Sequence, residues 1–338
     1  MMDYHARITG TGSAFPNRRV TNDDIAKKIA RLGVETNDEW VQSRTGIRER
    51  RYSDLQNPDE HNSSLGVAAA RKALAMAGKT PGDINQIIYA TCSPDTLIPS
   101  TACWLQHKIG APHAWAMDIN AACSGFVYGV ATAEQFIRSG HTQTALVVGA
   151  EVLHPFMNWN DRSSCILFGD GAGAAVVERC ESDASRRILS SHLLSDGNLW
   201  ELLYIPAGGS SMEVTPGRFS QNLHKMKMYG KDIFKVAVRT LAEFAVRALE
   251  SNQMRIADLD WFVPHQANLR IIEAVANRLG IPMEKVLINV DRYGNTSAAT
   301  IPTVLDEAVR AKRIKEGHIV LLDCFGAGLT YGAILMRW

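Results

Sequence analysis

"ADLDWFVPHQ", residues 257–266, echoes "GDINQIIYAT", residues 82–91: in each, an acidic turn leads into a short apolar run. A second pair, "FGDGAGAAVV" (168–177) and "FGAGLTYGAILM" (325–336), follows in the same order. A 338-residue chain exceeds the usual size of a single core. We therefore expect two related halves, 1–180 and 223–338, joined by a connecting segment, 181–222.

Other apolar, β-branched runs bounded by turn residues read as buried strands: "TALVVGAEV" (144–152), "AGAAVVER" (172–179) and "GHIVLLDC" (317–324). Between them lie helix-period stretches at 63–78, 124–140, 230–252 and 267–280, several ending at glycine as helix C-caps do. Strands alternating with helices predict α/β layers. The stretch "IPAGGSSMEVTPGRFSQN" (205–222) is rich in Gly, Ser and Pro and reads as an exposed loop of the kind that borders binding sites.

Hydrophobic residues make up 46%, and 36 basic side chains face 35 acidic ones, so net charge implies no nucleic-acid partner. The six cysteines, 92, 103, 123, 165, 180 and 324, form no C-x-x-C pair and no zinc-spaced cluster, which predicts no metal and a reduced, cytoplasmic setting. The start, "MMDYHARITGTG", carries no leader pattern, and no run approaches the ~20 apolar residues of a membrane span.

In "DINAACSGFVYG" (118–129) a strand ends and a helix begins at Cys123. Unpaired N–H groups and the helix dipole favour thiolate there, the form a nucleophile needs. Free cysteines are also among the most buried residue types, so core packing is the competing reading. His265 sits past the strand at 259–264, at a carboxyl end where α/β proteins gather ligands. Asn295, in "DRYGNTSAATIP", is a third polar candidate, with turn or cap duty as its alternative. The loop "GDGAG" runs into a strand rather than opening a helix, which argues against a dinucleotide fingerprint. "FGAG" suits close backbone approach to a reacting carbonyl, its N–H joining that of Cys123 in an oxyanion hole.

With "NAACSGF", "VPHQANLR", "DRYGNTSAATIP" and "FGAGLTYGA" in this order, nearly the whole chain resembles β-ketoacyl-acyl-carrier-protein synthase III. That resemblance implies a thiolase-like fold of five αβαβα layers, Cys123 as nucleophile, and His265 and Asn295 as its partners. It implies an acyltransferase in which acyl-CoA acylates Cys123 and a decarboxylative Claisen condensation with malonyl-acyl-carrier-protein follows, initiating fatty acid biosynthesis. The oxyanion hole would be the N–H groups of Cys123 and Ala327, and no cofactor would be needed.

By the same resemblance, Trp40 and Arg162 sandwich the CoA adenine, while Arg44, Thr45, Phe234, Ala267 and Asn268 line the pantetheine tunnel. Lys235 and Arg270 form a basic surface for the carrier protein, and Ile98 stands as the acyl-pocket gate across a homodimer interface. Four departures bear on substrate: Ile98 stands where the common form has a bulky aromatic, a smaller gate that suits longer or branched acyl groups, Ala327 replaces the middle glycine of a triplet, Arg162 is followed by Ser163, and Lys231 replaces an asparagine. Ala327 is harmless to an N–H donor only with a negative φ. The competing readings are a specialised homologue acting on other acyl groups, a nicotinamide-dependent oxidoreductase, and a non-catalytic partner subunit.

Overall fold

Side chains along the strand Thr144–Glu151 part alternately to two cores, as strand geometry requires. Ala145 and Val147 join one cluster, Leu146, Val148 and Ala150 another. The strand Ile319–Gly326 does the same: Val320, Leu322 and Cys324 share the first of these clusters, whereas Leu321 and Phe325 belong to a third. Both strands are buried end to end, which explains their largely apolar reading in sequence.

The computed structural model describes residues 4–338; the first three residues of the leader reading lie outside that range. Five strands form one sheet in the order Tyr4–Ala14, Gly171–Glu181, Thr144–Glu151, Gln86–Ala90, Trp115–Ile119. The second sheet runs Arg187–Ser195, Thr330–Arg337, Ile319–Gly326, Trp261–Pro264. In each, antiparallel strands give way to parallel ones at the same place in the order. The fifth position of the second sheet is reduced to a parallel bridge between Phe262 and Val286.

Helices Gly125–Arg138 and Thr300–Arg310 lie between the sheets, helix Asn62–Ala77 covers the outer face of the first, and helices Gly230–Glu250 and Leu269–Leu279 cover the second. The five αβαβα layers are thus present. Gly78 and Gly280 end their helices with φ of 65° and 70°, the left-handed caps that the sequence predicts. The connecting segment 181–222 is more structured than its turn-rich sequence suggests. Arg187–Ser195 is an edge strand of the second sheet, and Pro216–Ser220 forms a short helix within the 205–222 loop.

Candidate active site

Cys123 follows the carboxyl end of Trp115–Ile119, and His265 follows the carboxyl end of Trp261–Pro264. Parallel strands deliver both to one cleft of about 730 Å³, whose lining also includes Asn295, Phe325 and Gly326. Cys123 lies in the helical turn Ala122–Ser124, which runs straight into helix Gly125–Arg138. Ala122 takes a left-handed φ of 46° to make that turn, a strained conformation of the kind found where a side chain must be aimed.

The Cys123 thiol departs from expectation. Burial pushes it up to about 12, outweighing the lowering influence of the Ser297 side chain. The helix start places the sulfur, but its burial at the cleft floor favours the protonated thiol over the expected thiolate.

Burial drives His265 the other way, down to about 3, so its imidazole is neutral. Its Nδ1 lies 2.7 Å from the Thr300 hydroxyl, which is also 2.9 Å from the Ser297 carbonyl. A carbonyl only accepts; with the hydroxyl proton on it, Nδ1–H donates to Thr300 and Nε2 is a bare acceptor. Turning that proton to Nδ1 makes Nε2–H a donor instead. The Phe325 ring stands edge-on to the imidazole, centroids 5.6 Å apart.

Asn295 is pinned by its backbone, its N–H donating to Leu167 O at 2.8 Å and its carbonyl accepting from Gly169 N at 3.0 Å. Its Oδ1 accepts the Ser297 N–H at 2.8 Å, so its amide NH₂ is the end left for the cleft. That bond is side-chain turn duty, the alternative reading of Asn295, and Asn295 performs it without a left-handed backbone; Ser297, with φ of 50°, takes the strained position.

Gly326 explains the glycine of "FGAG" directly. A Cβ there would lie 2.8 Å from both the Cys123 nitrogen and the Ala121 oxygen. Ala327 is half-buried in the adjoining hairpin turn and is not part of the cleft lining; it is not among the residues of positive φ, so its methyl does not distort the turn.

Trp40, Arg44, Thr45, Phe234, Ala267 and Asn268 all line the cleft, as do Lys235 and Arg270 and the two departures Ser163 and Lys231. Thr45 is buried with its hydroxyl donated to Val41 O, and Asn268 caps helix Leu269–Leu279 while donating to Arg44 O. Both side chains shape the wall rather than present free groups. Arg162 is outside the lining: its guanidinium sits 4.1 Å from the Trp40 ring centroid, anchored on Glu35 O at 2.9 Å. Ile98 is also outside it, 88% exposed on the surface.

Sequence reasoning passed over Glu151, Ser297 and Thr300. Glu151 carried a signal: a charged residue ending an otherwise apolar strand is rarely buried without a purpose. Among the described residues, no three His, Cys, Asp or Glu side chains are grouped to hold a metal, and no helix is long and apolar enough to cross a membrane.

Two sheets of matching strand order, bringing a cysteine and a histidine to one cleft from opposite halves, define the thiolase-fold condensing enzymes, a class of acyltransferases. Family profiles described as 3-oxoacyl-[acyl-carrier-protein (ACP)] synthase III match residues 117–197, and its C-terminal portion residues 249–338. The chain is 47% identical to the β-ketoacyl-[acyl-carrier-protein] synthase III of Xanthomonas campestris pv. campestris, over 99% of this chain and 98% of that one. The corresponding protein of Roseiflexus castenholzii is likewise 47% identical, over 100% and 99%. The crystal structure of 3-oxoacyl-[acyl-carrier-protein] synthase III from Aquifex aeolicus VF5 superposes with a TM-score of 0.89 at 41% identity, covering 98% of this chain and 100% of that one. The chain belongs to the 3-oxoacyl-[acyl-carrier-protein] synthase III family.

Proposed function

We propose that Cys123 takes an acyl group from acyl-CoA and that the acyl-enzyme then condenses with malonyl-acyl-carrier-protein, starting a fatty acid chain. The observation that carries this reading is the convergence of Cys123, His265 and Asn295 in one cleft from both halves of the chain. Cys123 sulfur attacks the thioester carbonyl, and the oxyanion is held by the N–H groups of Cys123 and Ala327 while CoA leaves. Cys123 N–H lies in the first turn of a helix, where N–H groups have no intrahelical acceptor.

Loss of CO₂ from the malonyl group leaves an enolate, which the Asn295 amide and His265 Nε2–H hold. The carbanion attacks the acyl-Cys123 carbonyl and expels the cysteine sulfur. No step calls for a metal or redox cofactor.

CoA enters along the wall of Arg44, Thr45, Phe234, Ala267 and Asn268. Its adenine stacks on Trp40, displacing Arg162 to the outer side of the base. Lys235 and Arg270, at the cleft, attract the acidic carrier protein.

The chain works as a homodimer in the cytoplasm. Trp115–Ile119 is an edge strand of the first sheet, and Leu97, Ile98, Trp104 and Trp115 are exposed nearby in sequence. In that dimer Ile98 reaches the partner's acyl pocket as a gate smaller than an aromatic ring. The free cysteines suit a reducing compartment.

Incubation with a panel of acyl-CoAs and intact-mass detection tests the reading, followed by a chase with malonyl-acyl-carrier-protein or malonyl-CoA. We expect an acyl adduct that the chase removes; an adduct persisting in Cys123→Ala overturns the assignment.

A further inference from the structure

The turn that carries Cys123 is tied at both ends to one residue of the other half, Thr330. The Ala121 carbonyl accepts the Thr330 hydroxyl at 2.9 Å, and the fully buried Ser124 hydroxyl donates to the Thr330 carbonyl at 3.0 Å. The Thr330 hydroxyl also stands 3.3 Å from Ala327 O, and Thr330 pairs with Gly326 across the hairpin that carries Ala327. One side chain thus bridges the two segments that bear the N–H groups of Cys123 and Ala327.

These ties act against a fixed contact. A Cβ on Gly326 would lie 2.8 Å from the Ala121 oxygen and the Cys123 nitrogen and 2.9 Å from the Ser124 nitrogen, so the two segments meet backbone to backbone. That contact limits how near they come, and dispersion between a few atoms is a weak hold. Among the described residues no backbone-to-backbone hydrogen bond crosses between 121–124 and 326–330, which leaves the two hydroxyls to keep them together. The hold matters because Ala122, at a φ of 46°, stays in a strained conformation only while its surroundings enforce it.

We propose that Thr330, braced by Ser124, is a positioning residue for acyl transfer: its hydroxyl fixes the spacing of the Cys123 and Ala327 N–H groups and so the fit of the hole to the oxyanion. The inference rests on the reading of those two groups as the oxyanion hole. Thr330 is not part of the cleft lining and acts through backbone alone. The Ala121 carbonyl takes a second donor, the Ser124 N–H at 3.1 Å, so both its lone pairs are engaged and its peptide is held from turning. One peptide further on is the Cys123 N–H, and the Ser124 side chain pins the chain on its other side. Such spacing governs rate because a donor stabilises an oxyanion only at hydrogen-bond distance, and a misplacement of about 1 Å can cost 10²-fold.

The test is single-turnover acylation by rapid-quench mass spectrometry, over a range of acyl-CoA concentration, for wild type, Thr330→Val, Thr330→Ser and Ser124→Ala. It is paired with the infrared carbonyl stretch of each acyl-enzyme, formed from acyl-CoA labelled with carbon-13 at the carbonyl. Thr330→Val keeps the branched shape without the proton. It should acylate about tenfold more slowly at saturation, with the half-saturating concentration unchanged. Its carbonyl should stretch at a higher frequency, because hydrogen bonds to the oxygen lower it. Thr330→Ser, which restores the hydroxyl, should recover both, and Ser124→Ala should move both in the direction of Thr330→Val. A folded Thr330→Val or Ser124→Ala with the wild-type rate or stretch overturns the proposal, as does a Thr330→Ser that recovers neither. Should Thr330→Val fail to fold, Ser124→Ala, which removes one hydroxyl and adds no atom, decides on the same two readouts. Failure of the parent reading looks different: wild type takes no adduct, or its acyl-enzyme carbonyl already stretches at the frequency of a free thioester in an apolar solvent.

Discussion

The Oδ1 of Asn295 accepts the Ser297 N–H at 2.8 Å, and this single bond turns the amide NH₂ toward the cleft. Asn295→Asp keeps the acceptor and the shape but removes the donor. We expect acylation of Cys123 to survive within a few-fold while condensation falls about 10²-fold or more, the usual cost of losing one donor to a developing oxyanion. Single-turnover acylation set against malonyl-dependent product release measures the split, and equal loss in both would remove the enolate role.

Trp40 and Arg162 are packed on each other at 4.1 Å, anchored by the Glu35 carbonyl. An intercalated purine needs ring-contact distance on both faces, about 7 Å in all, so Arg162 must swing out by some 3 Å. Trp40→Ala should raise KM for acyl-CoA about tenfold, the low end of a base-stacking contribution. Acyl-pantetheine, which has no adenine, should be turned over equally by both enzymes. A matching loss with acyl-pantetheine would mean that Trp40 supports the helix Asp38–Thr45 rather than the nucleotide.

The turn that carries Cys123 leaves Gly326 no room for a side chain, the nearest contacts of a Cβ being backbone atoms that cannot rotate aside. Gly326→Ala should displace the Cys123 N–H, costing about 1–3 kcal/mol of stability and acylation by a larger factor. Thermal melting paired with adduct formation separates the two. Ala327→Gly, which keeps the backbone N–H, should change neither by much.

The duplication was legible because the paired stretches that carry it, 82–91 with 257–266 and 168–177 with 325–336, hold mostly buried strands, Gln86–Ala90, Trp261–Pro264, Gly171–Glu181 and Thr330–Arg337, whose apolar runs are set by two packed faces. The edge strand Arg187–Ser195 was not: it is half polar and does not stand out from its turn-rich surroundings. In the site, cysteine and histidine announce themselves by residue type and position in the fold. Ser297 and Thr300 act through hydrogen bonds that exist only once the chain is folded, and nothing in "NTSAAT" separates them from turn residues. The protonated state of Cys123 is likewise a property of enclosure, which local sequence does not encode.

Asp323 tests enclosure away from the reacting groups. It is fully buried on the strand Ile319–Gly326, and neither carboxyl oxygen has a hydrogen-bond partner. Burial raises its pKa well above the usual range. Because the folded pKa exceeds the unfolded value of about 3.9, the folded state binds more protons between the two, and stability falls as pH rises. The slope is about 1.4 kcal/mol per pH unit for one group until the folded pKa is reached. Asp323→Asn removes the titration while keeping the shape. Its melting temperature should match wild type near pH 4 and exceed it by a few degrees near pH 7. A gap that stays constant across that range would mean that the carboxyl is not held protonated by the fold.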